Sequence, residues 1–216
     1  MDAEIELAGE RVALLPEGAL WWPRARTLLV ADPHWGKAAA FRANAVPVPR
    51  GTTLDGLGRL DACLARTGAE RLVVLGDFLH APEGRAPDTL GELEGWRSRH
   101  AALDLLLVRG NHDLRAGDPP PELGVRCVDA PLVERPFVLT HHPKSSAEGY
   151  VLAGHLHPGV RLVGRGRQRE RLPCFWFGQT VGVLPAFGAF TGLATIIPDP
   201  GDRVFAVADG SVLEVN

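Results

Sequence analysis

Short apolar runs recur along the chain, and each is followed at once by residues able to donate oxygen or imidazole ligands. Thr27–Val30 leads into Asp32-Pro33-His34, and Arg71–Leu75 into Gly76-Asp77. Leu103–Val108 leads into Gly110-Asn111-His112-Asp113, Phe137–Leu139 into His141-His142, and Tyr150–Ala153 into Gly154-His155-Leu156-His157. Runs this short and this continuously apolar read as buried strands. Helical patterns stand between the first of them. Ala38–Ala43 predicts a short helix, and Leu54–Arg66 a longer one with Leu54, Leu57, Leu60, Ala62 and Leu64 as its apolar stripe. A third helix is expected over Asp88–His100, with Asp88 as N-cap. Glu4–Leu15 alternates loosely and predicts an opening strand or hairpin. Ala81–Pro87 reads as a loop and Asp118-Pro119-Pro120-Pro121 as a rigid turn. From Arg161 onward only short strands and turns are expected. Strand–helix alternation followed by strands predicts a mixed-sheet α/β architecture of two packed sheets flanked by helices. No linker or repeat divides the pattern, so residues 1–216 are expected to form one domain.

Composition changes this picture little. The chain has 216 residues, 45% of them hydrophobic, enough for one substantial core. A net charge of −3 excludes a molecule that is cationic as a whole, so any polyanion contact must be local. Of 23 basic residues only Lys37 and Lys144 are lysines. Arginine forks suit phosphate, although a compositional bias accounts for the skew equally well. Cys63, Cys127 and Cys174 are far apart and lack the spacing of a zinc knuckle or a disulfide framework, which fits a reducing cytoplasm. Met1-Asp2-Ala3-Glu4 begins no secretory signal. The uncharged stretch Leu172–Pro198 is long enough to span a bilayer. Gly178, Gly182, Pro185, Gly188 and Gly192 punctuate it too often for a membrane helix, and it is read as core strands and turns.

Donors at the ends of five strands converge along one sheet edge. Side chains at i and i+2 of a strand share a face, so Asp32 with His34, and His155 with His157, are each expected to address one ion. Carboxylate plus imidazole is a donor set for two borderline divalent cations. Without cations, Asp32, Asp77 and several imidazoles crowded together would suffer desolvation and repulsion. Two such ions leave excess positive charge for a phosphate ester and supply a bridging hydroxide near neutral pH. Asp77 lacks an adjacent histidine ligand, which suits a bridging position. His112, beside Asn111 but pointing the other way, is then expected to donate a proton or stabilise charge. Asp113 is expected to orient His112 or cap its turn, His142 to face away from His141, His80 to stand behind the ligands, and His100 to lie at the surface.

The ordered set Asp32-x-His34, Gly76-Asp77, Gly110-Asn111-His112-Asp113, His141 and Gly154-His155-Leu156-His157 resembles the calcineurin-like metallophosphoesterase superfamily. That resemblance implies a four-layer α/β/β/α sandwich. It implies one ion held by Asp32, His34, Asp77 and His157, and another by Asp77, Asn111, His141 and His155. His80 stands where many relatives have aspartate, and His142 where many have glycine. A narrower likeness rests on Asp32-Pro33-His34-Trp35-Gly36-Lys37, Val46–Gly51, Gly76–His80, Phe175–Gly178 and Leu184–Gly192. These are similar to the bacterial ligase-associated DNA damage response endonuclease (PdeM) group. The likeness implies a manganese-dependent DNA phosphodiesterase, with iron or zinc as alternatives, acting on DNA, single-stranded by expectation. A DNA ligase and a helicase would be its pathway partners, and Lys37 would join the substrate contacts.

Arg165, Arg167, Arg169 and Arg171 fall on alternate positions, so an extended strand would carry all four on one face. Spaced about 6.6 Å apart, they could follow a phosphate backbone, or merely guard a solvated edge strand. Two other readings compete with a DNA endonuclease: a phosphodiesterase of small or cyclic nucleotides, and a scaffold of the same fold that has lost catalysis. Retention of every donor argues against the scaffold.

Overall fold

The computed structural model describes residues 1–164 and 169–215. In the first sheet, β1 (Ala3–Leu7), β2 (Glu10–Leu15), β3 (Ala19–Trp22) and β4 (Thr27–Ala31) form an antiparallel meander. β5 (Arg71–Leu75), β6 (Asp104–Val108) and β7 (Arg126–Val128) then continue it in parallel from β4. The four α-helices of the described residues lie between these strands: α1 (Lys37–Ala43), α2 (Thr52–Thr67), α3 (Pro87–Arg99) and α4 (Asp113–Ala116).

The second sheet is built from β8 (Leu132–Glu134), β9 (Phe137–Leu139), β10 (Tyr150–Ala153), β11 (Pro158–Val163), β12 (Arg169–Phe177), β13 (Val181–Val183) and β14 (Ala194–Thr195), with β15 (Arg203–Ala208) and β16 (Ser211–Val215) added through β12. Its order is β14-β11-β12-β13-β10-β9-β8. β10 runs parallel to both β9 and β13, whereas β12 is antiparallel to its neighbours β11, β13 and β15.

The apolar runs are continuous because both faces of β4, β5 and β6 are buried. Leu28, Val30, Leu72, Val74, Leu105 and Leu107 face the helices, packing with Leu57, Leu60, Leu93 and Trp96. Leu29, Ala31, Val73, Leu75, Leu106 and Val108 alternate with them and meet Phe137, Leu139, Leu152, Phe175, Phe177 and Phe205 of the second sheet. The expected mixed two-sheet sandwich is present. Its helical cover is uneven, because no α-helix follows Ala116 among the described residues, only the single 3-10 turn Pro121–Leu123. The outer face of the second sheet therefore has only a small buried cluster, Val138, Val151 and Ala153.

Three local expectations change. In α2, Leu54 and Ala62 point to solvent and Cys63 joins the buried stripe, since the helix faces the sheet through Leu57, Leu60, Cys63 and Leu64. The N-cap of α3 is Ala86 rather than Asp88. Pro87, whose missing N–H is not needed in a first turn, occupies N1, and Asp88 favours the helix dipole from inside that turn. Within Leu172–Pro198, Cys174, Phe175, Phe177, Val183, Leu184 and Phe187 are buried as expected, but Phe190 and Ile197 are exposed. No helix among the described residues is long and apolar enough to cross a membrane.

Candidate metal centre

Every block of donors lies just past the C-terminal end of its strand, at β4, β5, β6, β9 and β10. The i, i+2 argument does not describe how the paired donors converge. Asp32, His34, Asp77, His155 and His157 all sit outside the strands with positive φ, between 47° and 70°. Such left-handed backbone is uncommon for residues with a Cβ and costs about 1–3 kcal/mol each. Long-range hydrogen bonds hold it. The backbone N–H of Asp32, His34 and Trp35 donate to the carbonyls of Gly76, Asp77 and Phe78, which extends the β4–β5 pairing past both strands.

The turned backbones gather the donors into two overlapping clusters. In one, His34 Nε2 lies 3.3 Å from His157 Nε2 and 3.7 Å from Asp77 Oδ2, and His157 Nε2 lies 3.8 Å from Asp32 Oδ2. In the other, His141 Nε2 lies 2.9 Å from Asn111 Oδ1, 3.1 Å from His155 Nδ1 and 3.5 Å from Asp77 Oδ1. Donors that share a cation at about 2.1 Å stand roughly 3 Å or more from one another. Asp77 thus turns one carboxylate oxygen to each cluster. Asp32 also reaches the second, with Oδ1 3.5 Å from His141 Nδ1.

Two observations fit this donor set to cations. Asp32 Oδ1 is buried and has no hydrogen-bond partner. Three of the imidazoles also cannot neutralise the carboxylates, because burial drives His34 down to about 2 and both His80 and His141 down to about 4, leaving them neutral. His141 donates Nδ1–H to the Leu75 carbonyl, 3.0 Å away, which leaves Nε2 with its lone pair toward the cluster.

Asp113 does a different job from the one expected. Instead of orienting His112, its buried carboxylate accepts N–H bonds from Asp77, Phe78 and Gly110 at 2.8–2.9 Å, joining two donor blocks. The blocks also need glycine where carboxylates come close. A Cβ at Gly154 would stand 2.6 Å from Asp32 Oδ2, and one at Gly110 would strike Asp77 Oδ1.

His112 is anchored through Nδ1 on the His80 carbonyl at 2.6 Å, so Nε2 is free and lies 3.9 Å from Asp77 Oδ2. The His80 ring stacks on His112 with centroids 5.0 Å apart, and its Nδ1 is 3.4 Å from His34 Nδ1. His142 does not face away: its ring meets that of His155 edge-on at 4.3 Å, because the chain bends as β9 ends. Lys37 is half-buried, close enough for its charge to act on His34, Asp32 and Asp77. Arg169 and Arg171 are exposed at alternate positions of β12, while Arg165 and Arg167 lie outside the described residues. His100 is bound to Asp61 at 2.7 Å, tying α3 to α2 far from the donors.

The sequence reading missed the clamp on the Asp32 block. Phe187 and Gly188 donate their N–H groups to the carbonyls of Ala31 and Asp32. A Cβ at Gly188 would collide with the Pro33 carbonyl, and half-buried Arg59 of α2 holds Phe187 by its carbonyl and by its ring, 4.4 Å away. The Leu184–Gly192 motif was its visible signal.

Comparison with solved structures finds Pseudomonas putida nuclease MPE, with 46% identity, a TM-score of 0.88 and 100% of each chain covered. Yfce, a phosphoesterase from E. coli, aligns over 88% of this chain and 97% of its own at 18% identity and a TM-score of 0.42, a likeness too weak to carry an argument. No family model matches the chain, and none of the curated proteins compared with it does.

Gly154→Ala tests the packing of this centre. The added methyl meets Asp32 Oδ2 and the Ala31 Cβ, 2.8 Å away, so the carboxylate must shift. The variant should keep its far-ultraviolet circular dichroism but lose most of the thermal stabilisation produced by added Mn²⁺. Gly91→Ala, whose Cβ meets nothing within 4 Å in α3, is the control and should be neutral or slightly stabilising. Equal Mn²⁺ stabilisation in the two variants would refute the cradle.

Proposed function

The chain belongs to the calcineurin-like metallophosphoesterase family, and from that membership we propose that it is a two-metal phosphodiesterase that cuts DNA. The observation that carries the reading is Asp77, whose Oδ2 lies 3.7 Å from His34 and whose Oδ1 lies 3.5 Å from His141, each in a different cluster. Asp32, His34, Asp77 and His157 would hold one divalent cation, and Asp77, Asn111, His141 and His155 the other. The cations, manganese by resemblance, would neutralise the buried carboxylates, draw in the phosphodiester and make water ionisable near neutral pH. His112, with Nδ1–H committed to the His80 carbonyl, would present Nε2 to the departing oxygen and protonate it when the ring is the imidazolium. Nuclease activity in the P. putida relative supports a nucleic acid as substrate. A DNA-repair setting, with a ligase and a helicase as partners, rests on the resemblance read from the sequence.

An exposed hairpin adds support for a polymer. β11 begins at Pro158, immediately after His157, and in its antiparallel pairing with β12 Arg161 stands directly opposite Arg171. Like charges opposed across a pair are unfavourable, and neither has a carboxylate partner among the described residues. Such cations suit a passing phosphate chain.

Asp77→Asn tests the bridge: it should nearly abolish Mn²⁺-dependent hydrolysis of bis-p-nitrophenyl phosphate with the fold intact. His34→Ala should be partly rescued by higher Mn²⁺, since it weakens one ion's affinity. Near-normal turnover of Asp77→Asn at ordinary Mn²⁺ would overturn the assignment.

For His112→Ala, kcat should fall about 10²–10⁴-fold on DNA with metal content retained, and less on esters whose leaving group is p-nitrophenolate. Loss of metal alongside activity would instead make His112 a ligand.

Changing Arg161, Arg169 and Arg171 together to Gln should lower the ratio of single-stranded DNA cleavage to bis-p-nitrophenyl phosphate turnover. It should also flatten the salt dependence, by a log–log slope of about 0.7 per lost phosphate contact. An unchanged ratio and slope would favour a small-molecule phosphodiesterase.

A further inference from the structure

The outer face of the second sheet, where no helix packs, holds a groove of about 420 Å³. Leu156 and Pro143 are among its lining residues. Leu156 lies between the donors His155 and His157, and Pro143 directly follows His142. The groove therefore opens within a residue or two of two donor blocks. Trp176 and Val183, paired across β12 and β13, line it together with Asp199 and Asp202.

The chemistry of these walls is selective. Trp176 is only partly buried, and its indole N–H donates to Asp202 Oδ2 at 2.6 Å. The same oxygen accepts the Asp199 N–H at 3.0 Å, so the ring is fixed before anything binds. Among the described residues no lysine or arginine lines the groove, while two carboxylates do. A phosphate would be repelled there. A neutral, flat heterocycle would be accepted: its face can stack on Trp176, and amino groups on its edge can donate to a carboxylate.

We propose that this groove receives an unpaired nucleobase next to the scissile phosphodiester, stacked on Trp176 with its amino edge toward Asp199. The assignment rests on the DNA phosphodiesterase reading and adds to it a base-binding subsite. Bases with an exocyclic amine, namely cytosine, adenine and guanine, fit the carboxylate edge. Thymine, with carbonyls flanking its single N–H, fits it poorly. A single strand can turn a base outward without breaking pairs, so the groove also favours single-stranded over duplex substrate.

The test uses Mn²⁺-loaded full-length protein and end-labelled single-stranded oligonucleotides. One series is uniform in dC, dA or dT, and another is dC with one abasic residue at a central position. The unaltered protein should cut the bond adjoining the abasic residue about tenfold less than the surrounding bonds, and dC or dA strands faster than dT. Asp199→Asn, at an exposed site, should narrow the dC-over-dT preference. Trp176→Ala should lower the ratio of oligonucleotide cleavage to bis-p-nitrophenyl phosphate turnover about tenfold and erase the abasic minimum. Uniform cutting through the abasic position by the unaltered protein would overturn the subsite while leaving the nuclease reading standing. Hydrolysis of bis-p-nitrophenyl phosphate with no oligonucleotide cleaved would overturn the nuclease reading and the subsite with it. A Trp176→Ala variant that changes only the oligomeric state would mark the face as an interface between copies, and would likewise overturn the subsite.

Discussion

Two carboxylates buried with too few donors set the terms for the rest of the molecule. Asp32 and Asp77 are 0% and 2% exposed, and Asp113 is 2% exposed beside them. The chain satisfies Asp113 by itself, with three backbone N–H groups on its two oxygens. Asp32 receives only the His155 N–H, and Asp77 only the His112 N–H. Burial keeps His34 and His141 neutral, so these two supply lone pairs rather than countercharge. A buried carboxylate without donors or countercharge is costly. Asp113 therefore behaves as a structural tie, whereas Asp32 and Asp77 keep acceptor capacity that a cation could fill. The difference between three donors and one separates the two roles among chemically identical side chains.

The positive φ angles follow from that arrangement. Donors at the ends of parallel strands point away from one another unless the backbone turns sharply, and the five left-handed residues are those turns. Each is unfavourable on its own, so each is held from elsewhere in the chain. Asp113 fixes the Asp77 turn from α4, and the β4–β5 ladder continues through Trp35 and Leu79. The Phe187–Gly188 segment closes over Asp32 and Pro33 from the second sheet, with Arg59 behind it. Inter-sheet packing thus reaches the site directly, because the segment that clamps Asp32 begins where buried Leu184 leaves the core between the sheets.

This explains which parts were legible in the sequence. The strands were visible because their burial on both faces writes itself as unbroken apolar runs, and the donors were visible because they follow those runs immediately. The turns were not, since nothing local in Asp32-Pro33-His34 announces a left-handed conformation held by Gly76, Asp77 and Gly188. An i, i+2 rule paired Asp32 with His34, which do share a cluster though for a reason the backbone does not use, and it paired His155 with His157, which stand in different clusters. His142 was misplaced because its direction depends on how the chain leaves β9. Asp113 was assigned to its neighbour His112 or to a cap on the following turn, although its partners Asp77 and Phe78 lie 35 or more residues away. The sequence carries the inventory of the site; the long-range hydrogen bonds carry its shape.

The uneven layering has a functional consequence of its own. Helices seal the first sheet, and the metal donors sit at the rim where the two sheets meet. Their solvent side is marked by His112 and His157, whose side chains are 29% and 17% exposed against 0% for Asp32. On that open side the β11–β12 hairpin leaves His157 carrying exposed arginines, and the uncovered face of the second sheet carries a groove lined by aromatic and acidic residues. Cations in one direction and a neutral aromatic floor in the other match the two halves of a nucleotide, phosphate and base. A helix over the second sheet would bury Trp176 and close that face. With no α-helix over it among the described residues, the outer face of the second sheet leaves Trp176 only partly buried.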